Sequence, residues 1–233
     1  MAEDVRELLA IACRILAAEG HEHFQFGHAS ARETAGAERF WVKPATLGLG
    51  EVRPADLVLV DLDGNRIAGD GPLHTELPIH GEIYRRRPDV GAVVHTHPFH
   101  AAALAASSAA FRVVSQDSLP FAPEPARFDS ALLIVTPDQG RAVAEALADG
   151  SVVLLRNHGI VVVGGSVEEA TYLAVAFERG VRLQHAAAVL GEVREIDPAE
   201  REELGRQLGI GSERRAKAIF TYLHRALGPA GQD

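Results

Sequence analysis

The stretch Val93-Val94-His95-Thr96-His97-Pro98 decides how this chain is read. Side chains alternate across a strand, so His95 and His97 can point at one ion while Thr96 points away. About sixty residues later, Leu155-Arg156-Asn157-His158-Gly159 offers a third imidazole. It lies between two apolar runs, Val152 to Leu155 and Ile160 to Val163, that read as buried strands, and the Asn-His-Gly break reads as a turn or bulge that aims a side chain. Three neutral nitrogen ligands with an open position suit a catalytic metal site; a structural site would be closed by four ligands, usually including cysteines. The chain has one cysteine, Cys13, far away in sequence. A His-x-His pair alone also describes two polar residues at a strand end, and His158 is what tips the reading toward a metal.

Outward from this segment, Leu77, His80, Ile83 and Tyr84 recur at helical spacing from Thr75 to about Arg87. Pro88 stops that helix before the strand, and Glu76 falls in its first turn, aimed at the strand end. Earlier, Val5, Leu8, Leu9, Ala12, Ile15 and Leu16 form an amphipathic helix closed by Gly20. Phe40 to Lys43 and Leu57 to Val60 read as strands, the latter turning through Asp63-Gly64-Asn65 into Arg66 to Ala68, and these early strands are expected to be antiparallel. A short helix is expected over His100 to Ala106, a strand over Arg112 to Ser115, and a helix from the Thr136-Pro137 cap to Gly150. Ser166 with Glu169 is a capping box opening a long helix to Gly191, and Asp197-Pro198 begins further helices. Strands flanked by helices throughout predict an α/β fold: a three-layer α/β/α domain around a mixed, mainly antiparallel sheet. Residues 1–227 are expected to form this single domain, with 228–233 as a frayed tail.

Composition sets limits. The 233 residues, 47% hydrophobic and 24% charged, suffice for one sizeable core. A formal net charge of −9 with scattered Lys and Arg disfavours nucleic acid as a partner. No apolar run approaches the roughly 20 residues that cross a bilayer, and Met1-Ala2-Glu3-Asp4 is acidic where a signal peptide is basic, so a cytoplasmic location is expected. A lone Cys13 on the apolar side of the first helix fits a reducing compartment and a packing role.

Taken together, Leu73-His74-Thr75-Glu76-Leu77-Pro78-Ile79-His80-Gly81-Glu82-Ile83-Tyr84, Arg87-Pro88-Asp89-Val90, His95-Thr96-His97-Pro98, Leu155-Arg156-Asn157-His158-Gly159 and Gly27-His28-Ala29-Ser30-Ala31-Arg32 resemble the class II aldolase/adducin superfamily. The resemblance implies a class II aldolase-like fold, His95, His97 and His158 as ligands of one divalent metal, and Glu76 as the acid/base at its open side. It also implies a homo-oligomer, commonly a tetramer with active sites near subunit interfaces. Three imidazoles suit Zn2+ first, with Mn2+, Fe2+ or Co2+ also possible. Such a metal acts as a Lewis acid for electrons left behind by carbon–carbon cleavage while Glu76 moves the proton.

The chain departs from the sugar-phosphate aldolases at their phosphate-holding positions. Gly-Asn-x-Ser, Thr-Gly and Ser-Ser are here His28, Ala45-Thr46 and His74-Thr75, and the close backbone approach that Gly allows is gone. The tyrosine that protonates the leaving oxygen in those aldolases has its counterpart near Ser115-Gln116-Asp117, without a tyrosine; Tyr222 reads first as an ordinary amphipathic tyrosine of the C-terminal helix and second as a substitute from a neighbouring subunit. The set Gly-His-x-Ser, Trp41-Val42-Lys43-Pro44, Leu73-His74-Thr75-Glu76 and Ser115-Gln116-Asp117 looks more like the aromatic-acid decarboxylase branch, such as dihydroxyphthalate decarboxylase. In that reading the substrate is a small anion, a hydroxylated aromatic acid, contacted by His28, Lys43, His74, Thr75 and Gln116, with Glu76 or a histidine protonating the ring carbon. Lys43 also reads as a surface lysine on an exposed strand. His100 is set aside as a polar neighbour of the metal site. Two other readings stand beside decarboxylation: an aldolase or epimerase acting on a short hydroxy-oxo acid or sugar phosphate, and a non-enzymatic adducin-like module or metal-dependent oxygenase on the same fold.

Overall fold

Strand β5 (Ala92–Thr96) is the axis of the molecule, and its alternation builds both hydrophobic layers. Ala92 and Val94 pack toward one face, with buried residues of the first and the long helix; Val93 packs toward the other. The computed structural model describes residues 4–122 and 124–228, so most of the expected tail at 228–233 lies outside the described residues.

Eight described strands, β1 (His28–Arg32), β2 (Arg39–Val42), β3 (Val58–Asp61), β4 (Arg66–Ala68), β5, β6 (Ala126–Phe128), β7 (Val152–Leu155) and β8 (Gly159–Gly164), form one sheet in the order β4-β3-β2-β1-β5-β8-β7-β6. All neighbours are antiparallel except β6 and β7. Helices α1 (Val5–Leu16), α3 (Phe99–Ala105), α5 (Val167–Leu190) and α7 (Glu213–Ala226) share the core of one face. Helices α2 (Leu77–Arg86) and α4 (Pro137–Leu147) share the other, and α6 (Pro198–Leu208) packs at the edge of the first layer through Leu204 and Leu208. The architecture is the expected three-layer α/β/α with a mixed, mainly antiparallel sheet. Burial of each Val or Leu on these two faces contributes about 1.5–3 kcal/mol.

The capping signals hold. Thr136 accepts from the Gln139 N–H with Pro137 at the first helical position, and Ser166 accepts from the Glu169 N–H. Asp61 anchors the β3–β4 hairpin by accepting from the Asp63 and Asn65 N–H groups.

Four local expectations are corrected. Arg112–Ser115 forms no strand: side chains take its N–H groups, Gln184 that of Arg112 and Ser118 those of Val114 and Ser115. Strands β1 and β6 were not expected. Helix α2 starts at Leu77, which puts Glu76 at its N-cap rather than in its first turn. Helix α4 ends at Leu147, where Ala148 takes φ 48° and reverses the chain before Gly150.

Candidate metal centre

The register of β5 sets the site. His95 stands opposite His28 of β1 on one side and Val161 of β8 on the other, and His97 follows just past the strand end. The fully buried His95 donates its Nδ1–H to the Ile160 carbonyl at 2.9 Å, which leaves Nε2 as a bare lone pair. His97 Nε2 lies 3.2 Å from that atom, while its Nδ1 is 3.3 Å from Nδ1 of the exposed His23. His158 occupies the turn between β7 and β8, thrown inward because Asn157 adopts the left-handed conformation at φ 56°. Gly159 follows because a Cβ there would run into the His97 ring and lie 2.5 Å from the Thr96 carbonyl oxygen. The Asn-His-Gly break is thus a tight junction that brings a β-turn imidazole against a strand-end imidazole.

One ligand atom each from His95, His97 and His158 lies within 4.8 Å of the others. Burial, reinforced by neighbouring imidazoles, lowers His97 to about 3 and His158 to about 4, so both are neutral at pH 7, the form that ligates a metal. Convergent lone pairs of this kind repel one another unless a cation or hydrogen lies between them, and the donor set fits a divalent ion with open positions.

Glu76 closes the group. Its Oε1 accepts from the Ile134 N–H at 2.9 Å, and its Oε2 lies 3.6 Å from His95 Nε2 and 3.7 Å from His158 Nε2. Burial would raise its pKa, but the facing imidazoles of His95 and His158 and the Ile134 N–H together hold it down at about 2. Glu76 is therefore a carboxylate facing the histidines.

Behind these residues runs a buried polar lane. His28, Ser30 and Arg32 alternate along β1 toward α2, whose N-cap Glu76 and helical His80 and Tyr84 recur every four residues on the facing side. His28 Nδ1 is 2.7 Å from His80 Nε2, Ser30 Oγ is 2.6 Å from His80 Nδ1, and Ser30 Oγ is 2.8 Å from the Tyr84 hydroxyl. Arg32 donates to the carbonyls of Tyr84, Val90 and Arg87, which ties the end of α2 to the strand. The Gly-His-x-Ser-x-Arg stretch is thus the device that docks α2 and aims His28. The His28 ring lies 4.3 Å from His74 and 4.9 Å from His95, and both His28 Nε2 and His74 Nε2 are buried with no described partner. His28, Glu76 and His95 form a second grouping of ligand spacing.

The remaining candidate residues are placed less centrally. Lys43 is wholly buried, against the surface alternative, and its ammonium donates to the carbonyls of Gln25 and Pro44 at 3.0 Å each and to that of Leu47. Burial lowers it to about 8. With three donors committed to backbone, Lys43 braces the loops beside the site. Thr75 is exposed immediately before Glu76, and Gln116 is exposed in a turn held by Ser118; no described contact joins Gln116 to the histidines. His100 pairs with Glu178 at 2.8 Å, away from the ligand set. Tyr222 is exposed on α7, and Cys13 is buried. Sequence reading missed His23, which shows no periodic signal, and the roles of Ser30, His80 and Tyr84, whose spacing of two on β1 and four on α2 was the available clue.

Residues 7–185 match the family described as class II aldolase and adducin N-terminal domain. The chain is 34% identical over 218 residues to a 3,4-dihydroxyphthalate decarboxylase of Arthrobacter keyseri, covering 86% of this chain and 87% of that protein. Among solved structures, an aldolase II superfamily protein from Pseudomonas syringae superimposes with TM-score 0.89 at 27% identity, over 100% of this chain and 96% of that one. An L-fuculose 1-phosphate aldolase from Glaciozyma antarctica PI12 does so with TM-score 0.84 at 26% identity, over 96% of this chain and 88% of that one. A trihistidine cluster on this fold, with those relatives, places the chain in the class II aldolase and adducin family.

Proposed function

We propose that the protein is a metal-dependent carbon–carbon lyase that decarboxylates a hydroxylated aromatic carboxylic acid. The observation that carries this reading is the convergence of His95, His97, His158 and Glu76 beside two buried imidazoles, His28 and His74, at the positions where sugar-phosphate aldolases place small phosphate donors. The 34% identity to a dihydroxyphthalate decarboxylase supports the same substrate class. His95, His97 and His158 would hold the metal, with zinc the first candidate. A divalent ion bound there supplies Lewis acidity toward adjacent oxygens of the substrate.

The protein residues do the rest. His28 and His74 flank the substrate carboxylate and fix its orientation. Glu76, anionic at pH 7, takes the proton of a ring hydroxyl and delivers it to the ring carbon. The bond from that carbon to the carboxyl breaks, carbon dioxide leaves, its bonding electrons remain on the ring, and the proton completes the new C–H bond. Positioned proton transfer of this kind contributes roughly 10²–10⁴ in rate.

A homotetramer with sites near subunit contacts accords with the surface beside Glu76, where Leu132, Leu133 and Val135 are exposed on either side of the buried Ile134. Thr75, Gln116 and a neighbour's Tyr222 are then the side chains left to complete the pocket rim. A cytoplasmic setting accords with the single buried Cys13.

Incubation of the metal-loaded protein with 3,4-dihydroxyphthalate, 3,4-dihydroxybenzoate and L-fuculose 1-phosphate tests the proposal. Carbon dioxide from an aromatic acid is the expected product. The second reading, aldol cleavage, is favoured by the structural likeness to the fuculose-phosphate aldolase and would yield an aldehyde instead.

A further inference from the structure

We infer that Tyr84, acting through Ser30 and His80, fixes His28 as a hydrogen-bond donor at Nε2 and so keeps it out of the metal's ligand set. The inference comes from counting hydrogens along the buried lane. Tyr84 is 1% exposed, and its hydroxyl oxygen takes a backbone hydrogen bond from Val93 and lies 2.8 Å from Ser30 Oγ, the described acceptor for its hydrogen. A neutral phenol always carries its hydrogen, so Tyr84 donates to Ser30. Ser30 then turns its own hydrogen to His80 Nδ1 at 2.6 Å. His80, fully buried and with no carboxylate among the described residues hydrogen-bonded to it, is a neutral imidazole whose hydrogen must be on Nε2, where it meets His28 Nδ1 at 2.7 Å. His28 Nδ1 is thereby an acceptor, and the hydrogen of a neutral His28 is on Nε2.

Run in the opposite sense, from His28 to Ser30, the lane would leave one buried hydroxyl hydrogen, that of Ser30 or of Tyr84, without a described acceptor, the costlier arrangement. The polarity therefore originates at Tyr84, at the far end of the lane from the metal site.

Two consequences follow for the centre. His28, Glu76 and His95 have ligand spacing, yet His28 Nδ1 accepts from His80 and Nε2 carries the hydrogen, so neither offers a free lone pair and the metal belongs to His95, His97 and His158. His28 Nε2–H, buried and without a described partner, points a donor at any anionic oxygen beside His74 and His95. That oxygen is the substrate carboxylate, a step that rests on the function proposed above; the tautomer does not. His80 and Tyr84 are positioning residues in this scheme.

Protein labelled with 15N at histidine distinguishes bare from hydrogen-bearing ring nitrogens by long-range proton–nitrogen correlation, with His28 assigned from its absence in His28→Asn. His28 is expected to show a bare Nδ1 and a hydrogen on Nε2, both metal-free and zinc-loaded. Tyr84→Phe is expected to release it to a mixture of tautomers, and His80→Gln, whose amide can still donate to Nδ1, to retain it. Folded His28→Asn is expected to bind zinc with unchanged stoichiometry. Zinc-loaded His28→Leu is expected to bind 3,4-dihydroxybenzoate about tenfold more weakly, the loss of one hydrogen bond to a charged group. A bare Nε2 in the wild type, or zinc lost from folded His28→Asn, overturns the inference; unchanged dihydroxybenzoate affinity in His28→Leu overturns the donor role. Absence of carbon dioxide release with these results intact removes the decarboxylase reading alone.

Discussion

The Ile134 N–H donates to Oε1 of Glu76 at 2.9 Å and thereby decides which carboxylate oxygen faces the histidines. With Oε1 committed to the backbone, Oε2 is left 3.6 Å from His95 Nε2 and 3.7 Å from His158 Nε2. The connection between β6 and α4 thus positions a group at the start of α2, joining two segments 58 residues apart in sequence.

Glu76→Gln keeps the shape and removes the charge. The Ile134 N–H needs an acceptor, so the amide oxygen stays with it and the NH2 turns to the imidazoles. Turnover is expected to fall by roughly 10²–10⁴ with bound metal and fold retained. Steady-state rates alongside metal analysis and circular dichroism check this, and near-normal turnover would remove Glu76 from proton transfer.

Gly159→Ala tests the junction between the turn and β5. The added methyl meets the His97 ring and the Thr96 carbonyl, and neither can withdraw without moving the strand end. Destabilisation of about 1–3 kcal/mol is expected, together with weaker metal binding. Urea unfolding and metal titration measure the two separately.

Ala148 offers the opposite outcome. At φ 48° and ψ −124° it holds a conformation that costs a residue with a Cβ but not glycine. Ala148→Gly is expected to stabilise the protein by about 1 kcal/mol, seen as a higher urea midpoint with unchanged turnover. A lower midpoint would mean that the conformation is not strained.

The acid limb of stability follows from imidazoles remote from solvent. His21 is lowered to about 3, chiefly by burial, and so is His80, where burial is reinforced by His95 and His74. An unfolded histidine titrates near 6.5, so between about pH 6.5 and 3 the unfolded chain binds protons that the folded chain refuses. Stability therefore falls as pH drops below about 6.5, and metal-free protein is expected to show it as a declining urea midpoint from pH 7 to pH 4. A flat profile would mean that these rings are charged or exposed in the folded state.

Much of this was legible in the sequence because its causes are local. The His95-x-His97 alternation, the Asn157-His158-Gly159 break and the caps at Thr136 and Ser166 act within a few residues; the break and caps form as read, and His97 falls just past the end of the strand that carries His95. Strand β1 was not legible as a strand because both its faces are buried and one is polar: His28, Ser30 and Arg32 look like a loop until α2 arrives to receive them. Val113-Val114 misled for the converse reason. Two β-branched residues suggest a strand, but Gln184 and Ser118 supply the hydrogen bonds that a ladder would have given. Lys43 read as exposed because nothing local shows that three carbonyls from two loops close over its ammonium. His23 near His97 depends on the sharp turn at Gly20, φ 86°, in the helical turn Ala17–His21 that follows α1, a tertiary fact without a periodic trace.

The most direct test of the account is carbon dioxide release from 3,4-dihydroxyphthalate by the protein as purified, after chelation, and after return of a single divalent metal, with His158→Ala carried in parallel. The expected result is release that stops on chelation, returns with one metal ion per chain, and is absent from folded His158→Ala. Release that survives chelation, or that persists undiminished in His158→Ala, would contradict a metal-dependent lyase built on His95, His97 and His158.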